Sequence, residues 1–153
     1  MSAETILLVD DEETDRAVVR RTLERKGYRV LEADTYQRAL TVFEKNRELI
    51  ALLLTDISLP GGNGCELWVS MRKRNPDLKV LFVSGHVGAE VCRFHGLEPS
   101  TLHFFGKPFK PADLLERVTK VLSSPEYPKL HDAYWKSKPN GENAGNGNGD
   151  SGN

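Results

Sequence analysis

Several features of other protein classes are missing from this sequence. There are only two cysteines, Cys65 and Cys92, and they lie too far apart to form a CxxC pair. This spacing argues against a disulfide framework or a zinc site and suits a reducing cytoplasm. The net charge is −1, from 21 basic and 22 acidic residues, so the charge balance favours neither nucleic acid nor an anionic membrane as a partner.

Long apolar runs are also missing. The start, Met1-Ser2-Ala3-Glu4, has no basic region, and the apolar run from Ile6 to Val9 is too short for a signal peptide or a membrane span. We therefore expect a cytoplasmic protein. Of its 153 residues 39% are hydrophobic and 28% charged, which is the composition of a globular domain with a core.

Short apolar runs alternate with amphipathic segments along most of the chain. The predicted strands are Thr5–Val9, Tyr28–Glu32, Ala51–Thr55, Lys79–Val83 and Leu102–Phe105. The predicted helices are Thr14–Lys26 (ended by Gly27), Thr35–Asn46, one from Cys65 to the turn at Asn75, Ala89–Phe94, and one from Pro111 to Leu122. Alternating strands and helices predict a parallel sheet covered on both faces, with right-handed crossovers.

The alternation ends near residue 123, so we expect one domain over 4–123. A short extension over 124–139 contains Leu130 and Tyr134, whose spacing allows a short helix, and its aromatic side chains would pack back onto the domain. Residues 140–153 are almost all Gly, Asn, Asp, Glu and Ser, a composition typical of disorder.

Polar residues follow four of the predicted strands. Asp10 and Asp11 follow the first strand and Asp56 the third, while Ser84 follows the fourth and Lys107 lies just after the fifth. Because the carboxyl ends of parallel strands meet at one edge of a sheet, we expect these side chains to lie together. Closely packed carboxylates repel one another, and a hard divalent cation such as Mg²⁺ relieves that repulsion.

Such a site suits phosphoryl chemistry. A cation, an ammonium and a hydroxyl around one free carboxylate would neutralise the oxygens of a phosphoryl group, and phosphoryl transfer needs mainly positioning and neutralisation. Asp56 would then be the nucleophile and would form an acyl phosphate.

These residues resemble a known family. Asp10-Asp11, Asp56 with Pro60 and Gly64 after it, Ser84-Gly85, and Phe104-x-x-Lys107-Pro108-Phe109 are similar to the motifs of the receiver domain of two-component response regulators. The resemblance spans about residues 4 to 123, with the motifs in the family's order. It implies a flavodoxin-like, doubly wound sheet of five parallel strands in the order 2-1-3-4-5 with five helices. It also implies a cis Lys107–Pro108 peptide bond.

The resemblance implies a role for each site residue. Asp56 is the phosphoacceptor, and Lys107 pairs with the phosphoryl oxygens. Mg²⁺ is held by the Asp11 and Asp56 carboxylates and the Ser58 backbone carbonyl, with Asp10 helping through water. Ser84 is the switch hydroxyl, and Phe104 is the switch aromatic that follows it inward.

Some positions depart from the family's pattern without removing chemistry. Ser84 stands where Thr is commoner, Gly85 where Ala is frequent, and Leu59 where Met is usual; Phe104 lacks the hydroxyl of a Tyr. Ser58 and His86 lie two residues after Asp56 and Ser84, and we expect them to tune the lifetime of the acyl phosphate.

The family resemblance also implies partners. The donor would be a sensor histidine kinase or a histidine phosphotransfer protein. Phosphorylation would change the surface formed by the fourth helix, fifth strand and fifth helix, which an unknown downstream protein would read. No nucleic-acid or membrane partner is expected, and the protein would be a monomer or a weak dimer. One side of the first helix is basic and is either a solvated face or a docking surface: Arg16, Arg20, Arg21, Arg25 and Lys26.

About thirty mostly polar residues follow the last helix, so we expect a stand-alone receiver or one from a hybrid histidine kinase. On this interpretation the protein is not an enzyme beyond its own phosphorylation and dephosphorylation. One alternative is a Mg²⁺-dependent phosphatase with an aspartate nucleophile, of the haloacid dehalogenase type. That family needs a second aspartate where this chain has Ser58. Another is a constitutive receiver-like interaction domain, although all the acceptor residues are present. Flavin binding is disfavoured because an acidic segment, rather than a phosphate-binding loop, follows the first strand.

Overall fold

The structure, a computed structural model, describes residues 3–85 and 102–125. In these ranges the helices are α1 (Glu13–Arg25), α2 (Tyr36–Asn46), α3 (Gly64–Arg74) and α4 (Pro111–Ser123). The strands are β1 (Thr5–Val9), β2 (Arg29–Ala33), β3 (Ile50–Asp56), β4 (Ser58–Leu59), β5 (Gly62–Asn63), β6 (Lys79–Ser84) and β7 (Phe104–Gly106). The predicted fourth helix Ala89–Phe94, His86, most of the predicted extension and the predicted tail lie outside the described residues.

Five strands form one parallel sheet in the order β2-β1-β3-β6-β7. Since β4 and β5 form a separate two-stranded hairpin, β6 and β7 are the fourth and fifth predicted strands. The predicted order 2-1-3-4-5 and the flavodoxin-like class are therefore confirmed.

Strand register brings the ends of neighbouring strands together. Val9 pairs with Thr55 and Asp56 pairs with Val83, while Ser84 pairs with Gly106. The residues that follow these pairs consequently meet at the carboxyl-terminal edge of the sheet.

The sheet is buried on both faces, as its continuous apolar strands predict. Alternating residues of β1 divide between two clusters, with Leu7 and Val9 on one face and Ile6 and Leu8 on the other. The first face also holds buried residues of α2 and α3, and the second holds those of α1 and α4. Each large side chain that is fully buried contributes about 1.5–3 kcal/mol. Among the described helices, none has the length and apolar character that crossing a membrane requires.

Helix α1 ends at Arg25, one residue before the predicted end, and the predicted Gly27 follows its C-cap. Gly27 has a φ of 101°, and the Tyr28 N–H donates to the Leu23 carbonyl at 3.2 Å. This left-handed conformation is cheap only for glycine, so Gly27 terminates the helix.

Most predicted boundaries in the described residues differ from the structure by one residue, and two predictions differ by more. The fifth strand covers Phe104–Gly106 instead of Leu102–Phe105, because pairing with β6 begins only at Phe82 and Phe104. The predicted loop at residues 61–64 contains β5 and the first residue of α3. Gly61, with a φ of 90°, turns the chain tightly enough for β4 and β5 to pair.

Candidate functional site

Asp56 is the last residue of β3, a strand whose residues from Leu52 onward are buried. Only 8% of Asp56 is exposed. The backbone after it is fixed on both sides, since the Ile57 N–H donates to the Val83 carbonyl at 3.2 Å and the Gly64 N–H to the Ile57 carbonyl at 2.7 Å. The carboxylate therefore sits on a rigid strand end at the sheet edge.

Lys107 reaches this carboxylate from the segment after β7. Its Nζ lies 2.9 Å from Asp56 Oδ1 and 3.7 Å from Asp10 Oδ2. Its N–H donates to the Ser84 carbonyl at 2.8 Å, which ties the segment to the end of β6. The Lys107–Pro108 peptide bond is cis, as the resemblance implied.

Asp10 and Asp11 complete an acidic cluster with Asp56. One carboxylate oxygen from each of the three lies within 4.8 Å of the others. Asp10 is buried and Asp11 is exposed, so the cluster is open to solvent on the Asp11 side. An all-oxygen set of carboxylates is the donor set that hard divalent cations prefer, and the three residues fit Mg²⁺.

The backbone at Asp10 is held by several elements. Its N–H donates to the Ala33 carbonyl at 3.1 Å, and its Oδ1 accepts from the Glu12 N–H at 2.8 Å. Arg16 Nη1 donates to the Asp10 carbonyl at 2.7 Å, while Arg16 Nε pairs with Glu32 Oε1 at 3.0 Å. Arg16 thus contacts the site directly, although the sequence placed it only on the basic side of helix one.

Burial and neighbouring charges shift the pKa values of Asp56 and Lys107. Burial raises the pKa of Asp56 to about 7, and the neighbouring Asp10 adds to the rise, while Lys107 opposes it. For Lys107, burial acts to lower the pKa, but the contact with Asp56 and the charges of Asp10 and Asp15 outweigh it and raise the pKa. Lys107 is therefore a fixed cation beside a carboxylate that is costly to ionise.

The other predicted site residues lie on neighbouring strands or outside the described ranges. Ser84 is buried at the end of β6, and Phe104 is half-buried at the start of β7. Ser58 is exposed on β4. His86 lies outside the described residues. The structure thus brings Asp10, Asp11, Asp56 and Lys107 together, as the strand pattern predicted.

Sequence patterns did not predict three contacts with the backbone of site segments, which are those of Arg16 with Asp10, of Tyr36 with Pro60 and of Arg117 with the start of β7. Arg117 Nη1 donates to the carbonyls of Leu102 at 3.1 Å and Phe104 at 2.7 Å. Its guanidinium carbon lies 4.9 Å from the centre of the Phe105 ring. A basic residue on the inner side of a helix was the available signal for Arg117, but its partners are backbone atoms that no motif encodes.

Comparisons with known proteins agree with this geometry. The family model for the response regulator receiver domain matches residues 6–119. The phosphate regulon transcriptional regulatory protein PhoB of Pseudomonas aeruginosa is 34% identical over 124 residues, which cover 80% of this chain and 53% of that protein. The chain therefore spans about half the length of the curated relatives that it matches.

Solved structures share the fold. The receiver domain from the hybrid histidine kinase CckA is 34% identical with a TM-score of 0.63, and the match covers 78% of this chain and 99% of that one. The chemotaxis response regulator CheY4 of Vibrio cholerae is 25% identical with a TM-score of 0.68, and the match covers 78% of this chain and 99% of that one. The chain belongs to the family of response regulator receiver domains.

Proposed function

We propose that the chain accepts a phosphoryl group on Asp56 from a phosphohistidine of a sensor histidine kinase or a histidine phosphotransfer protein. The observation that carries this proposal is the ammonium of Lys107, 2.9 Å from Asp56 Oδ1 within a cluster of three aspartates. A carboxylate oxygen held in this position can attack a phosphorus atom, and the fixed cation beside it can offset the charge on the phosphoryl oxygens.

In the transfer, an Asp56 carboxylate oxygen forms a bond to phosphorus. The bond between phosphorus and the donor imidazole nitrogen breaks, and the nitrogen keeps the electron pair. Lys107 moves its hydrogen bonds to the phosphoryl oxygens and offsets their charge. Hydrolysis reverses the state, since water adds to phosphorus, the bond to Asp56 breaks and inorganic phosphate leaves.

Asp10, Asp11 and Asp56, with the Ser58 backbone carbonyl, would hold Mg²⁺. When bound, the ion would favour ionised carboxylates and neutralise phosphoryl oxygens. The chain's part is to present these oxygens on rigid strand ends. We further propose that Ser58 and His86 set the lifetime of the acyl phosphate, and that substitutions there change the rate of dephosphorylation.

A groove beside Lys107 offers space for the donor. It has a volume of about 520 Å³ and lies between α1 and the segment before α4, lined by Asp15, Val18, Val19, Lys107, Pro108, Phe109 and Pro111. Because the groove includes Lys107, it would give a donor protein a surface to contact beside the acceptor. Arg20 pairs with Glu24 and Glu32 and Arg16 with Glu32, so part of the basic side of α1 is neutralised within the chain.

The output would pass through β7 and α4. Ser84 would move to the phosphoryl group and Phe104 would follow it inward. Because Arg117 binds the Phe104 carbonyl, a shift of β7 would pull on α4. A downstream protein that contacts this surface would distinguish the two states.

The chemistry is proposed to be limited to phosphorylation and dephosphorylation of Asp56, without turnover of other substrates. Ser58 stands where an aspartate phosphatase of the haloacid dehalogenase type carries its second aspartate. The chain would be either a stand-alone receiver or a receiver from a hybrid histidine kinase. Its similarity to a receiver of the second kind supports that origin. A cytoplasmic location and a monomeric or weakly dimeric state remain predictions.

Incubation with acetyl phosphate and Mg²⁺, followed by intact-mass measurement, tests the proposal. We expect the mass to rise by one phosphoryl group, and we expect no gain for Asp56→Asn or with a chelator present. The matched control is Asp77→Asn, an exposed aspartate in a turn, which should gain the group as the wild type does. A wild-type chain that never gains mass, or a gain that survives Asp56→Asn, would overturn the proposal.

A further inference from the structure

The hairpin of β4 and β5 connects Asp56 to α3. Ser58 pairs with Asn63 and Leu59 with Gly62 in antiparallel register. The Ser58 carbonyl, which under the proposed function binds Mg²⁺, belongs to this hairpin. Its position therefore depends on what holds these six residues, 58–63, in place.

The inner end of the hairpin packs against the site. A Cβ built on Gly64 would lie 2.4 Å from the Asp56 carbonyl oxygen and 3.0 Å from Thr55 Cγ2. Glycine is required at this position because a side chain would push the helix away from the acceptor strand. The Gly64 N–H to Ile57 carbonyl bond at 2.7 Å closes this end.

The outer end is covered by Tyr36, the first residue of α2. The Tyr36 N–H donates to the Pro60 carbonyl at 3.0 Å, at the tip of the hairpin. Its ring lies so close to Gly62 that a Cβ there would be 2.6 Å from Tyr36 Cδ2 and 3.0 Å from Cγ. The ring is half-buried against the core face shared by α2 and α3, so it cannot move aside freely.

The helix start that carries Tyr36 is itself fixed. Thr35 Oγ1 accepts from the Arg38 N–H at 3.0 Å, which caps the first turn of α2. The Tyr36 hydroxyl oxygen lies 3.5 Å from Ser70 Oγ on α3. Tyr36 thus connects α2, α3 and the hairpin.

We propose that Tyr36 is a positioning residue that holds the hairpin in the conformation required for cation binding and so raises the affinity of the site for Mg²⁺. This inference rests on the proposed function. Gly61 and Gly62 have no side chains with which to order the hairpin, so the tyrosine ring supplies the packing that they lack. A backbone ligand that is already ordered binds the cation more tightly, because binding then costs less conformational entropy. Tyr36 acts through the hairpin.

The test is isothermal titration of the protein with Mg²⁺ at a temperature where circular dichroism shows each variant folded. We expect Tyr36→Ala to weaken Mg²⁺ binding about fivefold to tenfold through lost preorganisation, and Tyr36→Phe to stay within about twofold of the wild type. The matched control is Tyr28→Ala on the opposite side of the sheet, where a half-buried tyrosine has its hydroxyl oxygen 3.4 Å from Thr119 Oγ1. Tyr28→Ala should leave Mg²⁺ affinity unchanged.

A double-mutant cycle tests whether Tyr36 acts through its contact with Gly62 or through a general effect on folding. Gly62→Ala alone should also weaken Mg²⁺ binding, because the new methyl group collides with the ring, and it carries the test if Tyr36→Ala does not fold. In the pair Tyr36→Ala/Gly62→Ala the methyl group occupies the vacated space, so the combined loss should be smaller than the two single losses together. Hydrogen exchange of amides at residues 58–63 should be faster in Tyr36→Ala and close to wild type in Tyr36→Phe, without any cation present.

The outcomes separate this inference from the proposed function. Normal Mg²⁺ binding by Tyr36→Ala, or additive losses in the cycle, would overturn the role of Tyr36 while leaving Asp56 as the acceptor. A wild-type chain that gains a phosphoryl group but does not bind Mg²⁺ would overturn this inference and the Mg²⁺ ligand set. A wild-type chain that binds Mg²⁺ but gains no phosphoryl group would overturn the proposed function alone.

Discussion

Polar side chains have different roles at the two edges of the sheet. At the amino-terminal edge, two side chains donate to backbone carbonyls. Trp68 Nε1 donates to the Leu78 carbonyl at 3.2 Å, and Asn75 Nδ2 donates to the carbonyls of Arg47 at 2.9 Å and Ile50 at 3.2 Å. These bonds satisfy buried or partly buried carbonyls, so this edge contributes stability.

At the carboxyl-terminal edge, carboxylates face one another. Asp10 and Asp56 are both buried, and their nearness helps to raise the pKa of Asp56 to about 7, while Lys107 compensates only in part. The difference teaches that stability and reactivity are separated in space, since charge that costs folding energy is confined to the edge where a ligand can offset it.

The largest expected effect is a gain of stability from Asp56→Asn. The pKa of Asp56 is raised from 3.8 to about 7 in the folded chain, so the folded state binds more protons than the unfolded state between these values. The contribution of Asp56 to the free energy of unfolding is fully present below about pH 4 and is lost as pH rises through about 7. In metal-free buffer at pH 8, Asp56→Asn should be more stable than the wild type by about 2–4 kcal/mol, and near pH 4 the gain should vanish.

Urea unfolding at both pH values measures this difference. A gain of equal size at pH 4 and pH 8 would show that ionisation of Asp56 is not its cause.

The opposite sign is expected at the other edge. Asn75→Ala leaves the Arg47 and Ile50 carbonyls without their donor and should lower the free energy of unfolding by about 1–3 kcal/mol, independently of pH. Asp77→Ala, in the exposed turn next to it, should change stability by less than about 0.5 kcal/mol. Chemical denaturation of both variants makes the comparison. An Asn75→Ala variant as stable as the wild type would remove the stabilising role of the amino-terminal edge.

An intermediate effect on stability is expected at Arg117, because its guanidinium binds backbone carbonyls near the site. Arg117→Lys keeps the charge but loses the planar guanidinium that lies over the Phe105 ring, and it should lower stability by about 1 kcal/mol. Amide exchange at residues 104–106 should become faster. Lys120→Arg, on the exposed side of α4, serves as the control and should leave both unchanged. Unaltered exchange in β7 would contradict the proposed coupling between β7 and α4.

The smallest effect is expected on the surface. Arg74 Nη1 lies 2.7 Å from Glu44 Oε2, but both side chains are exposed, with 52% and 41% of their surfaces accessible. Glu44→Gln should therefore change stability by less than about 0.5 kcal/mol, and the change should shrink further in high salt. Thermal unfolding at low and high ionic strength measures it, and a loss above about 1 kcal/mol would mean that surface pairs matter more here than the edges suggest.

The sequence was sufficient for the order of the five parallel strands and for the meeting of Asp10, Asp11, Asp56 and Lys107. Apolar runs of strand length, alternating with amphipathic helices, leave few topologies other than a parallel sheet. Once the sheet is parallel, the residues after each strand share an edge. Boundaries were less predictable, as β7 shows, because pairing depends on where the neighbouring strand ends.

What the sequence determined by itself is thus the sheet and the acidic edge, which follow from local periodicity and from the residues after each strand, and the family, which its motifs resemble. Only the tertiary structure decided that Arg16 holds the Asp10 carbonyl, that Arg117 holds β7, and that Tyr36 covers Gly62. Each of these contacts joins a side chain to backbone on another element. Such contacts depend on how helices pack against the sheet. This packing joins residues that are far apart in the chain, so no local pattern predicts it.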